Sequence, residues 1–253
     1  MKPLTLLVEG VMLLSLLLML ASYPRKDTLP EPDYYAAEPP AAPKQTKTQL
    51  SPFETEVNGE RYRITPRFDY VLEGVVVSAH DADALDDIWH HDKWRDFLNT
   101  RDLCVIWGDN LSSGVYQQMR FENGSWTCRA YFPDSEVFGR FNMAQLSNNH
   151  LLTDDPAIND LIMEARIGDR VRLKGQLANY RNLGNGFFRN TSTVRTDTGD
   201  GACETIYVRE FEIVERASTS ARQLFDVAKW TFAGAVVIGL LLLFLAPVRG
   251  INE

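Results

Sequence analysis

The chain has 253 residues, 45% of them hydrophobic and 24% charged, with three cysteines and a formal charge of −8. That length holds one globular domain with appendages. Between Glu54 and Glu215 there are 17 Lys and Arg against 27 Asp and Glu, so a phosphate backbone is repelled and nucleic acid is not an expected partner.

Leu4–Ala21 is apolar apart from Thr5, Glu9 and Ser15, close to the roughly 20 residues that cross a bilayer's hydrocarbon. No small-x-small cleavage site follows, so residues 1–22 read as an uncleaved transmembrane anchor rather than a signal peptide. Glu9 is expected near the end of the span, snorkelling to the headgroups. The sharper alternative is a polar contact with another span. Residues 23–52 carry seven prolines and no apolar period. They read as an extended linker that lifts a soluble domain, residues 53–216, off the membrane.

Asn58–Gly59 marks a turn before a long first strand, Arg61–Ser78, in which Gly74 suggests a bulge or bend. His80–Asp102 has an interrupted helical stripe (Leu85, Ile88, Trp89, Trp94, Phe97, Leu98) and reads as one or two inserted helices. Leu103–Phe121 reads as an interrupted strand. Trp126–Phe132 follows across the hairpin signal Glu122–Ser125, and Phe138–Leu152 reads as a connection without period.

The best-patterned stretch is Asp154–Tyr180. Asp155 is an N-cap with Pro156 at the first helical position, and Ile158, Leu161, Ile162 and Ala165 share one helical face. Gly168 ends the helix. The period then becomes two, with Val171, Leu173, Gly175 and Leu177 on one side. A last strand follows at Thr205–Glu215. A helix between the third and fourth of five strands resembles an OB-fold. The expected fold is therefore mainly β, an OB-fold-like five-stranded barrel with an inserted helix, flanked by two transmembrane helices.

In OB-folds the loop between strands four and five borders the ligand face. Here that loop is Arg181–Glu204, and its charged residues Arg181, Arg189, Arg195, Asp197, Asp200 and Glu204 are the candidate binding residues. A metal is the other candidate ligand, held by His80, His90, His91 and His150 with nearby aspartates. No H-x-x-x-H spacing supports it. Asp197–Thr198–Gly199 copies half of an aspartic-protease pair, but such enzymes need two sharing carboxylates and only one copy is present. Cys104, Cys128 and Cys203 contain no C-x-x-C, which excludes a zinc ribbon or thioredoxin motif. A disulfide joining Cys203 to Cys128 or Cys104 would order the loop, and Cys128–Cys203 is the expected pair.

Residues 217–230 read as a juxtamembrane helix and 231–248 as a second transmembrane helix, bounded by Lys229–Trp230 and Arg249. Two spans put both termini on one side. By the positive-inside rule, Arg25, Lys26, Arg222 and Lys229 on the domain side against Lys2 and Arg249 slightly favour a cytoplasmic domain, but long translocated loops escape that rule. The signal-like N-terminus with its Pro-rich tether favours an exported domain, expected at an inner membrane. The segments DLCVIWGDN (102–110), LSNNHLL (146–152) and DTGDGACETIYV (197–208) resemble those of a family of uncharacterised bacterial membrane-anchored proteins. That resemblance covers most of Phe68–Val214. It implies one intact domain and brings no activity or cofactor. The expected function is a membrane-tethered, non-catalytic binding or assembly module for a protein partner or a second copy of itself. The alternative is a metal-assisted hydrolase using His80, His90, His91 and their aspartates.

Overall fold

The computed structural model describes residues 2–35, 38–84, 87–199 and 202–245. They form two units, one from the chain's ends (up to Thr28, and from Ser218) and one from Leu29 to Ala217.

The terminal unit is a pair of helices, Lys2–Ser22 and Ser220–Leu245. Both are long and apolar enough to cross a membrane. Small residues make their seam: Ser15, Ser22, Ala228 and Ala235 are buried, and Gly239 lies against Val8 and Met12. Side chains this small let two helices approach closely where water supplies no driving force. Ser15 and Ser22 return their hydroxyls to the carbonyls of Val11 and Leu18, at 2.7 and 2.6 Å. The outward faces are apolar and exposed, as at Leu6, Leu243 and Phe244. The expected juxtamembrane helix and second span are one continuous helix. Residues 246–248 of that span, and Arg249, lie outside the described residues.

Among its described residues the central unit holds ten strands: β1 (Lys44–Lys47), β2 (Phe53–Val57), β3 (Glu60–Asp81), β4 (Asn99–Ile106), β5 (Arg120–Gly124), β6 (Thr127–Tyr131), β7 (Leu146–Leu152), β8 (Arg170–Asn182), β9 (Phe188–Arg189) and β10 (Glu204–Glu215). β3, β4, β7, β10 and β8 pair in that order, and β8 pairs back to β3, so five strands close a ring. Every pairing in it is antiparallel except β7 with β10. All five strands send side chains into one cluster, including Leu72, Val105, Leu151, Leu173 and Ile206. A cluster fed from every strand of a ring lies inside it.

The helix Pro156–Glu164 joins β7 to β8 and adds Ile162 to this cluster. Asp155 caps it as expected, accepting from the Ala157 amide at 2.8 Å. Its far end is closed by Arg101, whose Nη1 donates to the carbonyls of Ile162, Met163 and Ala165 at 3.1, 2.9 and 2.8 Å. A cation there also opposes the helix dipole. Gly175 permits the β8–β10 crossing, because a Cβ would meet the Tyr207 carbonyl oxygen at 2.1 Å.

Four expectations need correction. The tether is not free of the domain: Tyr35 is buried, its hydroxyl donates to the Gly168 carbonyl at 2.7 Å, and β1 pairs with β3. Its aromatic and extended residues have somewhere to pack. The ring's third strand is β7, in the stretch read as an unpatterned connection. β5 and β6 form a separate hairpin instead. β7 reads LSNNHLL and is buried on both sides, so its polar residues break the period-two signal. The stretch read as one or two inserted helices holds, among its described residues, one short helix, Ile88–Asp92, and Trp94, Phe97 and Leu98 of the expected stripe lie beyond it. Leu85 lies outside the described residues. Finally, Cys104 pairs with Cys128, with Cα atoms 5.9 Å apart, and Cys203 is a free thiol.

Candidate functional site

The pleat of the ring determines what lies on its outer face. Leu103, Val105 and Leu151 point inward, so Asp102, Cys104, Asn148 and His150 point out. Register aligns His80 of β3, Asp102 of β4, His150 of β7 and Thr205 of β10 across that face. One step along lie Ser78, Cys104 and Asn148.

The β5–β6 hairpin covers this polar face. The Cys104–Cys128 disulfide ties it to β4. Asn123 bridges two ring strands, accepting from the Ser78 hydroxyl and donating to Asn148 Oδ1 at 2.9 Å. At the hairpin's tip Trp126 holds φ +71°, a left-handed backbone that a bulky residue rarely adopts. Its tertiary contacts account for it. The ring stacks on His90 with centroids 4.5 Å apart and meets His150 edge-on at 5.3 Å. The Arg189 guanidinium lies 3.7 Å from its centroid, close enough for a cation–π attraction.

Beneath Trp126 runs a buried network that joins three of the four expected histidines and the nearby Asp87 to residues not singled out from the sequence: Asp96, Asn99, Asp102 and Tyr180. His80 Nε2 and His90 Nδ1 share Asp87 Oδ2, at 2.9 and 3.1 Å. His90 Nε2 faces Asp96 Oδ2 at 3.3 Å, and the Tyr180 hydroxyl donates to the same oxygen at 2.5 Å. Asn99 donates to Asp102 Oδ1 at 3.1 Å. Asp102 Oδ2 lies 2.8 Å from His150 Nδ1, and His150 Nε2 lies 2.7 Å from Arg189 Nη2.

Charge states follow from these contacts. Arginine only donates, so His150 Nε2 is an acceptor and its proton sits on Nδ1, toward Asp102. Burial pushes the His150 pKa down, and Arg189 adds to that against the pull of Asp102. Burial also opposes the charge on Asp102. The contacts from His150 and Asn99, with Arg189 nearby, nevertheless hold its carboxyl below the usual range. For His90 burial again opposes the charge, but Asp96 and Asp87 outweigh it and its pKa lies above the ordinary imidazole value. The two carboxylates therefore favour the imidazolium form of buried His90 more than water does.

The four histidines do not form one metal centre. Among the described residues no three His, Cys, Asp or Glu side chains are placed to share an ion. Both ring nitrogens of His90 and of His150 face partners, and the guanidinium at His150 Nε2 would repel a cation. His91 hydrogen-bonds to none of the other three: its ring packs against Phe97 and edge-on against His90, with centroids 4.8 and 5.9 Å apart, and burial, with His90 nearby, lowers its pKa.

The open part of this region is a cleft of about 550 Å³ beside the hairpin. Trp126–Arg129 form one wall, Leu146–Asn148 the floor, and Arg189, Asn190, Asp197 and Cys203 the other wall. The long loop is held against β10, with Ser192 N donating to Cys203 O at 2.9 Å and Thr205 N to Thr191 Oγ1 at 3.0 Å. Cys203 Sγ lies 3.7 Å from both Asn148 Nδ2 and the Trp126 carbonyl, and burial raises its pKa, so it is a protonated thiol.

Of the candidate loop residues, Arg189 and Asp197 line this cleft. Arg195 does not: it pairs with Glu204 and lies over the rings of Tyr70 and Trp107, at 5.4 and 5.9 Å. Glu204 is buried with Oε2 unbonded, and burial lifts its pKa to about 7. Arg181 lies over the Phe188 ring at 5.1 Å. Asp200 lies outside the described residues.

Compared with known protein families, with curated proteins and with solved structures, the chain has no match. Its chemistry is therefore read from geometry. The arrangement has a recessed, mixed-polarity cleft, two guanidinium groups, one carboxylate, and a rigid charged network behind the wall. The one free thiol among the described residues has a raised pKa, and the buried histidines are committed to carboxylates and Arg189.

Proposed function

We propose that this chain is a membrane-tethered, non-catalytic recognition module, an OB-fold-like barrel that takes a protein partner in the cleft between its hairpin and its long loop. Numbered along the chain, the ring strands run 1-2-3-5-4 and back to 1, with the helix between 3 and 4, which is the OB-fold order. In that fold the outer face of strands two and three, between the first and last interstrand loops, holds the ligand.

The observation that carries the reading is what occupies that face here. The hairpin inserted between strands two and three lies across it, disulfide-bonded to the second strand, and a cleft lies between the hairpin and the long loop. A partner would meet a preformed wall of Trp126, Thr127 and Arg129 facing Arg189 and Asp197. The domain's acidity speaks against nucleic acid there. The Cys104–Cys128 disulfide favours an oxidising compartment, which supports an exported domain at a bacterial inner membrane.

The test has two parts. An alkaline phosphatase fused after Asp27 is active if the domain is exported, whereas a cytoplasmic reporter that fluoresces there refutes export. A photocrosslinking amino acid at Thr127 in the cleft yields one discrete crosslinked protein, and the same group at exposed Glu212 yields none. Equal patterns at both sites, or none at either, refute the cleft as a recognition surface.

A further inference from the structure

The N-terminal helix is 21 residues long, or about 31 Å at 1.5 Å per residue. Glu9 lies seven residues in from Lys2, roughly 10 Å along the axis, and about a third of the way across a 30 Å hydrocarbon layer. A glutamate side chain is too short to reach the headgroups from there, which removes the snorkelling explanation.

Glu9 is not turned into the seam. It lines a cavity of about 700 Å³ beside the two helices, with Thr5, Met12, Gly239, Leu240 and Leu243. No ion pair or hydrogen bond reaches its carboxylate among the described residues, and the stretch of the C-terminal helix lining the cavity carries no charge. A carboxylate inside a bilayer without a partner is costly and usually marks a functional contact.

We infer that this groove is the docking site of a third transmembrane helix, contributed by another protein and carrying a lysine or arginine at the depth of Glu9. Charge complementarity selects this occupant. A second copy of the chain would bring another carboxylate to the same depth, and lipid tails would leave Glu9 unmatched. The groove's apolar walls and Gly239 suit a packed helix, while Glu9 supplies orientation and register. The inference rests on the membrane reading proposed above.

The experiment reconstitutes the full chain, donor-labelled, into phosphatidylcholine vesicles with acceptor-labelled synthetic leucine helices. One probe carries a single Lys a third of the way across, and the other carries Leu there. Energy transfer to the Lys helix is expected to indicate about ten-fold tighter association than to the Leu helix. Glu9→Gln and Glu9→Leu should abolish that preference while leaving helix content and elution in detergent unchanged. Equal association of both probes with the native chain overturns the inference, as does a Lys preference that survives Glu9→Leu. Self-association of the chain that Glu9→Gln abolishes also overturns it, assigning the groove to a second copy. Release of the chain from membranes by alkaline carbonate would instead take down the membrane reading, and the inference with it.

Discussion

Replacing Glu204 by Gln tests the electrostatics of the loop's base directly. Glu204 is 1% exposed, with Oε1 bonded to Arg195 and Oε2 unbonded. Its carboxyl titrates at about 7 in the folded protein against 4.5 ordinarily, chiefly because burial disfavours the charge. A pKa raised by folding means that the native state binds the proton more tightly. Stability from this group is thus fully present below about pH 4.5 and is lost as pH rises through about 7. The separation of the two values corresponds to roughly 3 kcal/mol at 1.36 kcal/mol per unit. Glutamine has the same shape and does not titrate. The assay is denaturant unfolding of the full chain in detergent between pH 4.5 and 8.5, followed by tryptophan fluorescence; Trp107 lies beside Arg195 and reports locally. Exchanging a neutral carboxyl for an amide beside Arg195 adds a constant offset. On top of it, the stability of the variant relative to the native protein should rise by roughly 3 kcal/mol across this range. Parallel curves for the two proteins would refute a Glu204 that is driven toward neutrality.

His90 provides a second pH-dependent test. Its pKa is raised by Asp96 and Asp87 in excess of the burial effect, so its stabilising contribution is complete below the unfolded imidazole value and fades as pH rises through the folded one. His90→Gln should therefore cost more at pH 5.5 than at pH 9, and a gap independent of pH would contradict the imidazolium. The disulfide makes a third prediction. Alkylation of the denatured, unreduced chain should modify Cys203 alone. Cys104→Ala with Cys128→Ala should lose roughly 3 kcal/mol, the scale for a crosslink spanning 24 residues, measured by the same unfolding assay. Three alkylated cysteines would refute the pairing.

Much of the frame can be read locally. Asp155–Pro156 caps a helix whatever surrounds it, because the bond is made within three residues. Asn58–Gly59 turns with φ of +51° and +76°, and the alternation of β8 follows from one wet and one dry face. The two terminal helices follow from apolar length alone. The β5–β6 turn is legible only roughly. Pairing of Gly124 with Thr127 puts Trp126 in the turn, against its own backbone preference, because His90 and Arg189 hold its ring.

The sequence by itself determined those elements whose cause is a period or a neighbouring side chain: the two long apolar helices, the capped helix, the alternating strands, and an acidic domain. Tertiary structure alone decided that LSNNHLL is a ring strand, that Cys128 meets Cys104, and that Asp87, Asp96, Asp102, His90 and His150 form one buried network. The reason is physical: a polar residue is tolerable in a core only when its partner arrives from elsewhere in the fold. Asp96 and Tyr180 are 84 residues apart in the chain, and no local pattern records that they will meet.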